Sequence, residues 1–249
     1  MAQARSLRER CVVPLMRHAY RRAHAIVAVS GGVADDLVHT IGLPREHIDV
    51  VYNPVVTPDL EVKASAPVDH PWFGEGQPPV ILAVGRLTPA KDYPTLLRAF
   101  ARIRRRRDCR LLILGEGELR TSLEVLIDEL GIRDSVQMPG FAENPFALMR
   151  AASLFVLSSA WEGLPNVLIQ AMACGAPVIS TDCPSGPSEI LEGGKWGALV
   201  PVGDDAELAA AIEEGLNGNG VRDAQERASS FNIDNAIDAY LQILNDRVA

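Results

Sequence analysis

The amino-acid sequence predicts an α/β fold built on a doubly wound parallel sheet. From residue 80 onward, short apolar segments alternate with segments of helical spacing, a pattern typical of parallel strands joined by helical crossovers. The apolar segments at 80–84 and 111–114 are continuous, which indicates strands covered on both faces. Ligands of such sheets bind at the carboxyl ends of the strands. We therefore expect a functional site in the loops that follow strands.

The elements of this sheet can be assigned in chain order from apolar periodicity and from glycine and proline signals. The predicted strands are 80–84, 110–114, 136–138, 154–158, 177–180 and 198–200. The predicted helices are 94–106, 118–130, 145–151, 165–174, 206–216 and 235–248. The four arginines at 104–107 fall at a helix end, where cations offset the helix dipole.

The first 79 residues have a different character. Helices are predicted at 6–22 and 33–41, and strands at 25–30 and 48–52. These elements have no obvious sheet to join, so we expect them to be poorly packed or to pair with another chain. The proline-rich segment that follows is expected to be an irregular linker. The predicted units are a short α/β remnant at 1–55, a linker at 56–79, the main domain at 80–232 and a C-terminal helix at 233–249.

Composition argues against several classes of function. The chain has 249 residues and a formal net charge of −8, which argues against general attraction to nucleic acid or to anionic membranes. Its 4 cysteines form no CxxC pair, so we expect a reduced, cytoplasmic compartment, with no metal site and no disulfide framework. No stretch approaches the ~18 apolar residues of a membrane span, and no signal peptide is expected.

The loop after strand 80–84 carries the first candidate binding residues. Gly85 allows close backbone approach, and the cations Arg86 and Lys91 follow it. Arginine as a fork and lysine as a mobile point charge could together hold a diphosphate. After strand 110–114, the glycines at 115 and 117 resemble half of a dinucleotide fingerprint, but a tight strand-to-helix turn is the better interpretation.

The segment from 158 to 180 is the most informative part of the sequence. It predicts a strand, a loop and a helix whose entry is pre-set by Pro165. Backbone N–H groups near Gly163 to Val167, around Leu164 and Asn166, are then expected to point at the sheet edge as an anion site. Glu162 precedes the helix, and Gln170 lies just over one turn inside it. A carboxylate suits sugar hydroxyls, and an amide that both donates and accepts suits a ribose diol.

These residues resemble those of glycosyltransferase family 4, retaining enzymes of the two-domain GT-B architecture, whose C-terminal half is Rossmann-like. The resemblance covers residue 80 to the C-terminus, with its motifs in the family's order. Those motifs are Gly85-Arg86-Leu87 with Lys91, Gly115-Glu116-Gly117, Met138-Pro139-Gly140-Phe141, the block from Glu162 to Val178, and the block from Asp182 to Glu189.

The resemblance implies roles for individual residues. Arg86 and Lys91 would bind the donor diphosphate and stabilise the leaving group, and Glu162 would contact hydroxyls of the transferred sugar. Backbone at 163–165 would contact the phosphates, and Phe141 would lie near the nucleobase. The family usually has a second glutamate where this chain has Gln170, so ribose binding is expected to be altered but not lost.

The resemblance also implies a reaction and its partners. The chain would bind a nucleotide-diphosphate sugar, expected to be UDP-linked, and pass a hexosyl unit with retention to a glycan or lipid-linked acceptor in cell-surface polysaccharide or glycolipid synthesis. Neither a metal nor a further cofactor is expected. The family's N-terminal acceptor domain is represented here only by the elements in 1–55. Peripheral association with the inner face of the membrane could come from that domain.

Three alternatives remain open from the sequence. The chain could be a non-catalytic nucleotide-sugar-binding module, or a subunit whose cleft is completed by a separate acceptor domain. It could be an epimerase of the same architecture acting on UDP-sugars. A nicotinamide-dependent dehydrogenase is disfavoured because no complete GxGxxG follows a strand.

Overall fold

The main body of the molecule is a six-stranded parallel sheet with helices on both faces. The computed structural model describes residues 7–219 and 223–248. The strands are β1 (Ile26–Ala28), β2 (Ile48–Val50), β3 (Val80–Val84), β4 (Arg110–Leu114), β5 (Val136–Gly140), β6 (Leu154–Leu157), β7 (Val178–Thr181) and β8 (Ala198–Val200). The helices are α1 (Leu7–Tyr20), α2 (Gly31–Ile41), α3 (Leu60–Ala64), α4 (Tyr93–Arg104), α5 (Arg120–Glu129), α6 (Pro145–Ala151), α7 (Asn166–Ala173), α8 (Pro187–Ile190), α9 (Asp205–Leu216), α10 (Gln225–Ala228) and α11 (Ile233–Val248).

The strand order of the main sheet fixes where a ligand can bind. The order is β5-β4-β3-β6-β7-β8, and all neighbouring strands are parallel. The chain therefore builds outward from β3 in one direction, then returns to place β6 on the other side of β3. Loops leaving β3 and β6 diverge at this switch point, which opens a crevice at their carboxyl ends. The predicted fold class, a doubly wound parallel α/β sheet, is confirmed.

Both faces of the sheet are buried, as the continuous apolar strands predict. In β3, Ile81 and Ala83 pack into one hydrophobic cluster, whereas Val80 and Leu82 pack into the cluster on the opposite face. This alternation follows from the two-residue period of a strand. The helices that connect the strands pack on both faces and complete these two clusters. The loops at the strand ends are therefore held by a packed core.

The expectation that residues 1–55 would be poorly packed is wrong for the part that the structure describes. Strands β1 and β2 pair with each other in parallel and form a separate two-stranded sheet, crossed by α2. A small core lies beneath α2, formed by the buried residues Ala28, Ala34, Ile41, Leu43 and Ile48. The other expectation, that these elements pair with another chain, stays a prediction.

The segment between residues 55 and 79 is packed, and the prediction of an irregular linker is wrong over α3. Leu60, Ala64 and Trp72 are buried in the main core. The amides of Val55 and Val56 both donate to the carbonyl of Phe231, at 2.9 and 3.0 Å. Proline ends regular structure only locally, and eight residues without proline separate 58 from 67, which leaves room for a short helix. The proposed domain boundaries stay a prediction.

Helix α11 carries the chain back to the first unit. The Arg247 guanidinium donates to the carbonyl of Glu46 at 2.8 Å and to the Asp49 carboxylate at 3.0 Å. The predicted C-terminal helix is present, beginning two residues earlier than periodicity indicated.

Helices α8 and α10 were not predicted, because four residues are too few to show a helical period. None of the helices within 7–219 and 223–248 combines the length and apolar character needed to cross a membrane.

Candidate functional site

Three loops converge at the carboxyl ends of β3, β6 and β7. The amide of Ala160, in the loop after β6, donates to the carbonyl of Ala90 after β3 at 2.8 Å. Two residues later, the amide of Glu162 donates to the carbonyl of Pro184 after β7 at 3.2 Å. The loop after β6 is thus held on both sides by its neighbours. This is the crevice that the strand order predicts.

A charged pair lies at the centre of this crevice. Lys91 Nζ donates to Glu162 Oε1 at 2.5 Å, and the hydroxyl of Ser159 donates to the same oxygen at 2.6 Å. Only 17% of the Lys91 side chain and 13% of the Glu162 side chain are exposed. Within the described residues, Glu162 Oε2 accepts no hydrogen bond, and it is not among the buried unpaired atoms. One carboxylate oxygen is therefore available to accept from a ligand hydroxyl.

Two groups near the pair have raised pKa values, chiefly because they are buried. Burial raises the pKa of the Tyr93 hydroxyl, and the charge of Glu162 adds to the effect. Burial likewise raises the pKa of the Cys183 thiol to about 11, with a smaller contribution from Glu162. Cys183 therefore stays a thiol at neutral pH and does not offer a nucleophile. The Tyr93 hydroxyl donates to the carbonyl of Gly85 at 3.1 Å and so fixes the turn that follows β3.

Gly85 leaves room for the stem of Lys91, which passes close beside it. A Cβ at this position would lie 3.0 Å from Lys91 Cε and 3.1 Å from the Tyr93 hydroxyl oxygen. The missing side chain lets the lysine stem reach Glu162. Arg86, the next residue, is exposed and makes no side-chain hydrogen bond or ion pair with the described residues. Its guanidinium is thus free to bind an anion in the crevice.

The glycines after β4 have a structural role. A Cβ on Gly115 would lie 2.0 Å from the carbonyl oxygen of Gly85, and one on Gly117 would lie 2.4 Å from that of Leu87. Backbone therefore packs on backbone between the loops after β3 and β4. The amide of Leu87 also donates to the carbonyl of Glu116 at 2.9 Å. This geometry fits the tight-turn interpretation.

Backbone amides without a partner lie just before α7 and at its first residue. Pro165 occupies the N-cap position, and Leu164 beside it is buried. The amides of Gly163, Leu164 and Asn166 make no hydrogen bond with the described residues. Unpaired amides at a helix start bind anions, because the helix dipole adds to their partial positive charge. The predicted anion-binding groups are thus next to Glu162 in space as well as in sequence.

Two further predicted residues lie at the margin of this arrangement. Phe141 follows β5, two strands away from β3 at the same edge of the sheet, and 88% of its surface is exposed. Gln170 lies on α7 four residues after Asn166, which places both on one face of that helix. Gln170 is half-buried and makes no side-chain hydrogen bond with the described residues.

Sequence reasoning missed the contacts that join the first unit to this site. The Ser30 hydroxyl donates to the carbonyl of Gly163 at 2.8 Å, and the Asn53 amide donates to Asn166 Oδ1 at 2.9 Å. The Glu189 carboxylate accepts from the amides of Gly31 and Gly32, both at 2.8 Å. Local sequence patterns do not predict contacts between residues more than a hundred positions apart. The one available signal was Ser30, because a serine often occupies the position before a helix.

Glu189 also perturbs a neighbouring tyrosine. The Tyr52 hydroxyl lies 3.3 Å from Glu189 Oε2. Burial raises the pKa of Tyr52, and the negative charge of Glu189 raises it further. Tyr52 therefore remains protonated and able to donate over the physiological range. The first unit is tied to the rim of the candidate site through α2 and this tyrosine.

A mainly apolar cavity lies elsewhere in the molecule. A cavity of about 330 Å³ lies at the amino-terminal ends of β6, β7 and β8, between Trp196 and Gly215. It contains none of the residues described above.

Within the described residues, no group of three or more histidine, cysteine, aspartate or glutamate side chains could hold a metal ion. The expectation of a metal-independent site stays a prediction.

Comparisons with known proteins give the chain a family. The family model described as "Glycosyl transferases group 1" matches residues 70–231, and the model described as "Glycosyltransferase Family 4" matches residues 2–58. A curated relative from Campylobacter jejuni, N-acetylgalactosamine-N,N'-diacetylbacillosaminyl-diphospho-undecaprenol 4-alpha-N-acetylgalactosaminyltransferase, is 32% identical over 217 residues. That alignment covers 85% of this chain and 57% of the relative.

Solved structures agree with this placement. The apo form of the lipopolysaccharide outer core galactosyltransferase WaaB superposes with a TM-score of 0.74 at 25% identity, covering 94% of this chain and 66% of that one. HepE from Anabaena, in complex with UDP and glucose, superposes with a TM-score of 0.73 at 23% identity, covering 96% and 66%. The chain thus spans between 57% and 66% of the length of these three proteins.

Proposed function

The chain belongs to the glycosyl transferases group 1 family, and from this premise we propose that it binds a nucleotide-diphosphate sugar at the carboxyl ends of β3 and β6. We propose further that it serves as the donor-binding part of a retaining enzyme that passes a hexosyl unit to an acceptor hydroxyl. UDP is the proposed carrier nucleotide. A glycan or a lipid-linked saccharide is the proposed acceptor, in cell-surface polysaccharide or glycolipid synthesis.

The observation that carries the proposal is the arrangement of charge around Glu162. Its Oε2 is available to a sugar hydroxyl, while its Oε1 is held by Lys91 and Ser159. The loop after β3 carries the free guanidinium of Arg86, and the loop after β6 leads to the unpaired amides at the start of α7. A ligand with hydroxyls at one end and negative phosphates at the other would satisfy both kinds of group.

These residues can support transfer with retention as follows. The bond from the anomeric carbon to the diphosphate breaks, and a bond to the acceptor oxygen forms on the same face. The acceptor proton passes to the departing phosphate oxygen, so no side chain is needed as a base. Arg86, Lys91 and the α7 amides stabilise the negative charge that develops on the diphosphate. Glu162 positions the sugar through its hydroxyls.

The setting of the reaction is proposed from relatives. The Campylobacter relative is named for a lipid-diphosphate-linked acceptor, and WaaB is named for the lipopolysaccharide outer core. From acceptors of this kind we propose that the enzyme works at the cytoplasmic side of a membrane, with peripheral association. We propose that Gln170 holds the ribose through hydrogen bonds from a neutral amide, where the family usually uses the carboxylate of a glutamate.

Calorimetric titration with UDP and with uridine tests the donor site. Arg86→Ala combined with Lys91→Ala should weaken UDP binding by at least about a hundredfold, because each charge-assisted hydrogen bond contributes roughly 1.5–3 kcal/mol. Uridine binding should change little, because the nucleoside carries no phosphate. Equal losses for both ligands would mean that these cations do not contact the diphosphate. Arg98→Ala with Arg105→Ala is the matched control, since both are exposed arginines of the α4 region without partners in the described chain.

A further inference from the structure

Hydroxyl side chains form a buried layer beneath the charged pair of the crevice. At the carboxyl ends of β6 and β7, Ser159, Ser180 and Thr181 are fully buried and Ser158 is nearly so. A buried hydroxyl is unfavourable unless it is hydrogen-bonded, so the partners of this layer indicate its role. Three of the four hydroxyls bond to a residue of the charged pair or to the loop that carries Glu162.

Two of these hydroxyls hold the backbone on which the pair is built. Ser158 Oγ donates to the carbonyl of Lys91 at 2.8 Å. Thr181 Oγ1 donates to the carbonyl of Ser159 at 2.6 Å. The backbone of Lys91, after β3, and that of Ser159, after β6, are therefore each tied to a neighbouring strand end.

The third hydroxyl, that of Ser159, bonds to the carboxylate itself. It lies 2.6 Å from Glu162 Oε1, and it is the donor because a carboxylate only accepts. Lys91 Nζ reaches the same oxygen at 2.5 Å, and no other cation of the described chain is within ion-pair distance of Glu162. Glu162 thus has two donors of different kinds, a flexible cation and a buried neutral hydroxyl.

The two donors would respond differently to a bound diphosphate. The Lys91 ammonium ends a flexible four-carbon stem, and a diphosphate carries more negative charge than one carboxylate, so the ligand competes for the lysine. The same negative charge repels Glu162. The Ser159 hydroxyl carries no net charge, and its residue has no exposed surface that a ligand could reach. Its hydrogen bond to Glu162 is therefore the one that the diphosphate does not disturb.

We infer that Ser159 is a positioning residue for Glu162. It holds Oε1 when Lys91 turns to the diphosphate, and it thereby keeps Oε2 directed at a hydroxyl of the transferred sugar. Ser159 acts through the carboxylate and does not touch the ligand. This inference rests on the proposed function, since it takes the diphosphate as the ligand group of Lys91 and the sugar as that of Glu162.

A ratio of two affinities tests this division of roles. Isothermal titration with UDP, and with UDP-glucose or UDP-galactose, whichever binds more tightly, measures what the sugar adds in each variant. Ser159→Ala should weaken binding of the UDP-sugar about fivefold, the effect of one hydrogen bond, and leave UDP binding within about twofold. Lys91→Ala should weaken both ligands by the same factor, because Ser159 still holds Glu162.

Ser180→Ala is the matched control. Ser180 is fully buried on the neighbouring strand, and its hydroxyl donates to the carbonyl of Thr181 at 2.9 Å, so this variant also loses one buried hydrogen bond. Both affinities should stay at the wild-type values. In a Glu162→Gln background, Ser159→Ala should cause no further loss of UDP-sugar affinity, because the carboxylate that it positions is already gone.

The outcomes separate this inference from the proposed function. If the ratio of the two affinities is unchanged in Ser159→Ala, or falls as far in Lys91→Ala or in Ser180→Ala, the inference is overturned. Equal losses of UDP and UDP-sugar affinity in Ser159→Ala would also overturn it, because the serine would then support the whole loop. Failure of the wild type to bind UDP would instead contradict the proposed function, and the inference with it.

Discussion

At the scale of single residues, Glu162 distributes its two oxygens between the protein and the crevice. Oε1 takes both internal hydrogen bonds, from Lys91 and Ser159, and Oε2 is left to the crevice. A pair this little exposed keeps its geometry, because an unpaired charge at the same place would be costly. Lys91 therefore both orients the carboxylate and carries positive charge toward the crevice.

Glu162→Gln should separate sugar binding from nucleotide binding. The amide keeps the shape of the side chain but removes the ion pair with Lys91. UDP-glucose affinity should fall about tenfold, a loss of roughly 1.4 kcal/mol, while UDP affinity stays within about twofold. Isothermal titration with both ligands measures this difference. Glu129→Gln, an exposed glutamate of α5, should change neither affinity, and a parallel loss of UDP affinity in Glu162→Gln would refute a contact limited to the sugar.

Sequence reasoning went as far as residue type and spacing allow. Arg86, Lys91 and Glu162 were predicted together because the carboxyl ends of parallel strands share one edge. Ser159 was not predicted as a partner of Glu162, since a serine in a loop carries no signal of its own. Glu189 was quoted only as part of a family motif, because its partners Gly31 and Gly32 lie about 157 positions away.

At the scale of elements, the loops after β3 and β4 act as one packed layer. Gly115 lies under the carbonyl of Gly85, in a backbone conformation with φ of 139°. The amide of Gly85 donates to the carbonyl of Leu114 at 2.9 Å, so the two turns also share a hydrogen bond. The position of Arg86 and Lys91 thus depends on a glycine in a different loop.

Gly115→Ala should damage both stability and binding. The added Cβ would clash with backbone, so the loop after β3 must shift, at a cost of roughly 2–4 kcal/mol in the free energy of unfolding. Gly131→Ala is the matched control, because Gly131 also has positive φ (67°) but open space around it. The control should lose about 1 kcal/mol or less from backbone strain. Urea denaturation measures the free energy of unfolding of both variants. Equal losses in the two would show that the close approach of Gly115 to the Gly85 carbonyl carries no cost.

The element scale also shows why some predictions failed. The main strands were predicted to within one or two residues, most sharply where the strand is a continuous apolar run, as in β3 and β6. Helix α3 was missed because prolines on both sides obscured five residues whose helical state depends on burial of Leu60 and Ala64. Tertiary packing decides such short segments, and a single sequence does not display it.

At the scale of the whole molecule, the first unit and the main domain are joined at the rim of the site. Glu189 places a carboxylate at the start of α2, where it meets two amides and the positive end of the helix dipole. Ser30, fully buried, reaches Gly163 from the same helix start. The position of the first unit is thereby coupled to the loop that carries Glu162.

Glu189→Ala should loosen the first unit. Two amides at the start of α2 would lose a charged acceptor, which should cost about 1–3 kcal/mol. Hydrogen exchange in Gly31–Ile41 should accelerate, with little change in β3 or β4. Glu207→Ala, on the exposed side of α9, is the control and should leave that exchange unchanged. Unaltered protection of α2 in Glu189→Ala would show that this contact does not hold the units together.

Amide chemical-shift mapping with UDP tests the central claim most directly. If the donor site is at the carboxyl ends of β3 and β6, UDP should perturb amides in 85–91 and 162–167, and that of Phe141. The cavity beside Trp196 and Gly197, at the opposite ends of the strands, should be unaffected. Perturbations confined to that cavity, or none at millimolar UDP, would contradict the assignment of this crevice as a nucleotide-sugar site.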